Sequence, residues 1–91
     1  MLFDWDPNKS AHNSEKHGID FDEARWLWGD ANRVEFRIRV SGEQRYGVLA
    51  RYGGSVWLAI TTRRGEAIRI ISVRRATRKE AALYDKVNGQ R

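Results

Sequence analysis

Arg69 is the first residue in this sequence that asks for a chemical explanation. It interrupts the run Ile68-Arg69-Ile70-Ile71-Ser72-Val73-Arg74, which otherwise reads as a strand with apolar side chains on both faces. A guanidinium inside such a run must be paired or must face a functional cavity, because burying an unpaired charge is costly. Arg64 and Arg74 flank the same strand. Three guanidinium groups around one sheet face can bind a scissile phosphate and stabilise its pentavalent transition state. Alternatively they form structural ion pairs, for instance with Glu43, Glu35 or Glu66.

Lys16-His17 closes a polar helix, where cations offset the helix dipole and help satisfy the last carbonyls. A histidine beside a basic patch also works as general acid or base near neutral pH. Glu43 and Arg45 fall on one side of a strand by two-residue parity, as a structural pair or as the holder of a general base. The candidate catalytic set is therefore Arg64, Arg69, Arg74, His17, Lys16 and Glu43. Other chemistries find no support. There is no cysteine, so no thiolate nucleophile or thiolate metal ligand. His12 and His17 are five apart, which suits a shared helical face poorly. With no phosphate loop or dinucleotide fingerprint either, the expectation is no metal and no cofactor, and acid–base and electrostatic chemistry alone.

The charge is unevenly spread. Residues 1–35 carry four basic and eight acidic side chains, and residues 36–91 carry thirteen basic and four acidic ones. Arginine outnumbers lysine by thirteen to four, and its planar fork grips phosphate through two hydrogen bonds. This basic half suits a polyanion, with Arg45, Arg63, Arg75 and Trp57 as further expected nucleic-acid contacts. A non-catalytic nucleic-acid-binding module or corepressor would carry the same charge. No apolar run is long enough to span a bilayer. Acids stand where a signal peptide would have its basic region, and disulfides are absent, so a cytoplasmic protein without membrane contact is expected.

The elements that must position these residues are marked by their punctuation. At 91 residues the chain suits one domain. Leu2 to Trp5 alternates as a short strand. Asp6-Pro7 reads as N-cap and first helical position, opening a helix to Lys16 or His17 that stops at Gly18. Its only apolar member is Ala11, so it lies at the surface or presents polar groups to something. Asp20 to Glu23 outlines a capping box for a short amphipathic helix ending at Gly29, with Phe21, Ala24, Leu27 and Trp28 inward; Trp26 points elsewhere, yet core packing is expected for it too. Period two then predicts strands over 33–40, 45–51, 56–60 and 68–74, the last interior, with Ser41-Gly42, Gly53-Gly54 and Arg64-Gly65 as turns. Thr77 to Glu80 is a second capping box, opening a helix to Asn88-Gly89. The fold class is α+β: a short strand, two helices, a four-strand antiparallel meander and a C-terminal helix, with helices on one sheet face and the other open.

These residues also resemble a known family. Trp5-Asp6, Lys9, Asn13, Lys16-His17-Gly18-Ile19, Phe21 and Glu23-Ala24 are similar to the N-terminal signature of the BrnT toxins. Glu43, Arg45-Tyr46, Thr62, Arg64-Gly65 and the segment Arg69 to Ala76 are similar to the rest, in the same order. Thr61 departs from the family, which often has His or an aromatic there, and Val73 replaces a usual Ala. The resemblance implies a fold like that of the RelE-type ribonuclease toxins. It also implies metal-independent RNA cleavage that arrests translation, and a ribbon-helix-helix antitoxin as partner. The antitoxin would form a two-plus-two complex with the toxin and alone read operator DNA.

Overall fold

The computed structural model describes residues 1–39 and 42–89; Val40 and Ser41, part of an expected strand and turn, lie outside them. In chain order the elements are β1 (Leu2–Asp4), α1 (Pro7–His17), α2 (Phe21–Ala24), a 3₁₀ helix (Arg25–Gly29), β2 (Val34–Ile38), β3 (Arg45–Tyr52), β4 (Ser55–Arg64), β5 (Ala67–Arg75) and α3 (Arg78–Gly89). One five-stranded sheet has the order β1-β5-β4-β3-β2. Strands β2 to β5 pair antiparallel with their chain neighbours. β1 joins the same sheet, parallel to β5, with Asp4 opposite Arg69, so β5 lies between two strands.

The caps act as their side chains allow. Asp6 accepts a hydrogen bond from the Asn8 N–H at 2.8 Å, and Gly18 ends α1 at φ 77°, a left-handed conformation that glycine adopts freely. Asp20 accepts from the Glu23 N–H at 2.7 Å. In the capping box of α3, the Glu80 N–H donates to Thr77 Oγ1 at 3.2 Å and the Thr77 N–H donates to Glu80 at 2.8 Å. The second helix differs from expectation, since it turns α-helical for four residues only and tightens into the 3₁₀ helix before Gly29. Trp26 is 66% exposed there, against the expected core position.

Strand side chains alternate between faces, and the two faces of this sheet carry separate cores. On one face, Val48, Ala50, Trp57, Ala59, Ile68, Ile70 and Val73 pack under Ile19, Phe21, Ala24, Leu27 and Trp28. On the other, Leu49 and Leu58 pack with Tyr84 of α3, flanked by Val34, Phe36 and Ile60. Helices therefore occupy both faces, not one. α3 covers only part of the second face, and the uncovered part holds Arg45, Arg64 and Arg69. A bulge near Ile60 and Thr61 leaves Ile71 without a partner on β4; it restores the alternation so that Arg69, Ser72 and Arg74 all share that second face.

Candidate nucleic-acid interface and active site

Pairing of Arg69 with Thr62 and of Arg74 with Leu58 puts both arginines on the face of β4 that also carries Arg64. Arg45 shares it by the parity of β3 with Leu49. Each arginine of the original trio has an acid against it. Arg69 donates to Asp4 at 2.6 Å. Arg64 stands 3.8 Å from Glu43, with both side chains about half exposed. Arg74 holds Glu80 with two hydrogen bonds, at 2.8 and 3.0 Å. Of the acids considered from sequence, only Glu43 takes part; Glu35 pairs with Arg33 at 3.2 Å. The Arg74 contact drives the Glu80 carboxyl down to about 2, against the opposing effect of burial. Arg45 has no acid partner among the described residues, and its Nε is buried without a hydrogen bond.

The other expected RNA contacts divide. Arg63 lies over the Tyr46 ring, 5.5 Å from its centre, and Arg75 over the Trp57 ring at 5.2 Å. Pairing of Arg63 with Ile68 and of Arg75 with Trp57 places both on the helix-covered face, not with Arg64, Arg69 and Arg74. Trp57 is 7% exposed and donates its indole N–H to the Tyr52 carbonyl at 3.0 Å. Packed in the core, with Arg75 over its ring, it offers no free ring face for a base to stack on, contrary to the expected role.

Lys16 and His17 lie elsewhere again, at the edge of β5 beyond the reach of β1. There the Asn13 side chain does what a neighbouring strand would do. Its amide donates to the Val73 carbonyl at 2.9 Å and to the Ile19 carbonyl at 2.8 Å, and its oxygen accepts from the Val73 N–H at 3.1 Å. Ser10, also buried, accepts from the Phe21 N–H at 2.9 Å. These contacts explain the polarity of α1: the helix presents hydrogen-bonding groups inward. Between it and the bulge lies a cleft of about 260 Å³, lined by Lys9, His12, Lys16 and His17 above Asn13, Ile71 and Ser72. Sequence reasoning set Lys9 and His12 aside, though a basic residue in the first turn of a helix was the available signal.

A larger cleft, about 590 Å³, lies by Trp26, Asp30, Arg51 and Tyr84. Burial raises the Asp30 carboxyl, but N–H groups of Arg51 and Asn32 and the Tyr84 hydroxyl outweigh this and hold it below its ordinary value. This cluster ties α3 to the chain before β2. Among the described residues no group of three or more His, Cys, Asp or Glu side chains is placed to hold a metal ion, and no helix is long and apolar enough to cross a membrane.

A mixed sheet with one partly bare, arginine-bearing face defines a small α+β domain. The family model of the ribonuclease toxin BrnT, of type II toxin–antitoxin systems, matches residues 5–80, and the chain belongs to that family. A search of curated proteins finds no match. As a toxin of this kind it is one half of a pair, and an antitoxin is its partner.

Proposed function

We propose that this chain is an endoribonuclease that cleaves RNA without a metal on the uncovered sheet face, working in the cytoplasm and arresting translation. The observation that carries this reading is the gathering of Arg45, Arg64 and Arg69 on the stretch of sheet that α3 leaves bare, with Arg74 at its border with α3. Their roles differ with their partners. The long, exposed Arg64–Glu43 contact is weak, so a phosphate can displace the acid and leave Glu43 nearby as a general base. Arg69 and Arg45 then hold the phosphate and stabilise its transition state. Arg74, gripped by Glu80, is the strut of α3 and contributes field more than contact. The substrate's own 2′-hydroxyl loses its proton to the base and attacks phosphorus. The bond to the 5′-oxygen breaks, and that oxygen takes a proton from solvent water at the exposed face. The products are a 2′,3′-cyclic phosphate and a 5′-hydroxyl.

The partner fitting this reading is a ribbon-helix-helix antitoxin in a two-plus-two complex, which alone reads operator DNA. Labelled RNA incubated with wild type and with Arg64→Gln and Arg69→Gln variants in excess chelator tests the reading. Wild-type cleavage to cyclic-phosphate ends, lost in both folded variants, is the expected result. Binding without cleavage by wild type would make the chain a nucleic-acid-binding module instead.

A further inference from the structure

Arg64, Arg69 and Arg74 each have an acid within ion-pair distance, whereas the four basic side chains of the cleft beside α1 have no ion pair or hydrogen bond among the described residues. Lys9, His12 and Lys16 follow one another at helical spacing, which gathers three basic groups along one face. The helix dipole accounts for Lys16 and His17, which occupy the last turn. It does not account for Lys9, which stands in the first turn, where a cation opposes the dipole and the acid at that end, the capping Asp6, is engaged by the Asn8 N–H. His12, mid-helix, has no capping role either. Ser72 lines the cleft and sits on the arginine face between Arg69 and Arg74.

We propose that this cleft is a phosphate subsite on the RNA path, in which Lys9 and His12 join Lys16 and His17 around one phosphodiester of a chain that continues past Ser72 to Arg69. RNA as the ligand rests on the nuclease reading above; the anion site rests on the cleft alone. Two measurements test it on the full chain. Inorganic phosphate is titrated while the imidazole proton resonances of His12 and His17 are followed, in wild type and Lys9→Gln. Saturable shifts in both rings, with affinity weakened about fivefold or more in Lys9→Gln, are expected. Affinity for a 2′-O-methyl RNA, which cannot be cut, is then compared between Lys9→Gln/His12→Gln and Lys79→Gln/Lys86→Gln. The latter removes more charge from exposed positions on α3. The cleft variant is expected to lose about tenfold, and the control far less. Unsaturable phosphate shifts, or equal losses in the two variants, overturn the proposal. A cleft variant that binds and cleaves RNA normally sinks the subsite while sparing the nuclease. Saturable phosphate binding by a wild type that cuts no RNA does the reverse.

Discussion

Asp4 and Arg69 come together only because β1 runs parallel to β5, and their contact separates two roles an arginine can have. If Arg69 serves structure, losing the acid frees a charge that does nothing. If it serves RNA, Asp4 competes with the phosphate, and Asp4→Asn should tighten binding of uncleavable RNA by about two- to fivefold. Anisotropy titration measures this; unchanged or weaker binding would move Arg69 out of the interface. Arg74 and Glu80 give a second prediction, in pH. The Glu80 carboxyl falls from 4.5 to about 2 in the fold. Its contribution to stability is therefore complete above the unfolded value and is lost as pH falls from about 4.5 toward 2. Glu80→Gln should flatten that part of the stability–pH curve in denaturant melts and cost about 1–2 kcal/mol near neutrality. The anomaly of Arg69 was legible in the sequence, since a charge breaks the strand's apolar period. Its partner was not, because Asp4 lies 65 residues away and parallel pairing leaves no local mark.

At the scale of elements, the edge of β5 is closed by a side chain rather than a strand. Asn13→Ala would leave the Val73 N–H and carbonyl and the Ile19 carbonyl without their partner. With about 1–3 kcal/mol for an unmet buried group, and some relief from entering water, a loss of about 3 kcal/mol is expected. Asn13→Asp should rescue little, since a carboxylate accepts from Val73 but donates to neither carbonyl. Denaturant unfolding of both variants checks this; an Asp variant as stable as wild type would contradict the donor role. A second element-scale device sits on β2 and β3, where the Phe36 ring covers Gly47 so closely that an added Cβ would collide with it. Gly47→Ala should cost about 1–3 kcal/mol by displacing that ring. Helix boundaries were readable from caps because Asp6, Gly18, Asp20 and Thr77 act within a few residues of themselves, whereas β4 runs on to Arg64, beyond the expected end at Ile60. The side of the sheet taken by α3 was not readable. It depends on Tyr84 meeting Leu49, Leu58 and Asp30, contacts distant in sequence. Trp57 escaped for a related reason, as parity assigns a face but not which helix covers it.

Across the whole molecule, the surplus of cations in residues 36–91 is concentrated less simply than its total suggests. Arg63 and Arg75 lie on the helix-covered face over aromatic rings, and three open-face arginines carry acids. On the proposed reading, the RNA surface would be the open face plus the cleft beside α1, a band that an extended single strand could follow. Each neutralised phosphate releases counterions, so with about three or four contacts log affinity should fall with log salt at a slope of roughly −2 to −3. Arg45→Gln and Lys9→Gln should each make that slope shallower, whereas Arg63→Gln should leave it nearly unchanged. An antitoxin segment laid over Arg64, Arg69 and Arg74 would exclude RNA by direct competition, its acidic groups replacing Asp4, Glu43 and the phosphate together. Titrating the purified pair with uncleavable RNA should therefore show mutually exclusive binding, with the mass of the pair reporting two toxins and two antitoxins. A pair that binds RNA as tightly as free toxin would place the antitoxin elsewhere, and the exposed Trp26 beside the larger cleft would become the next surface to test.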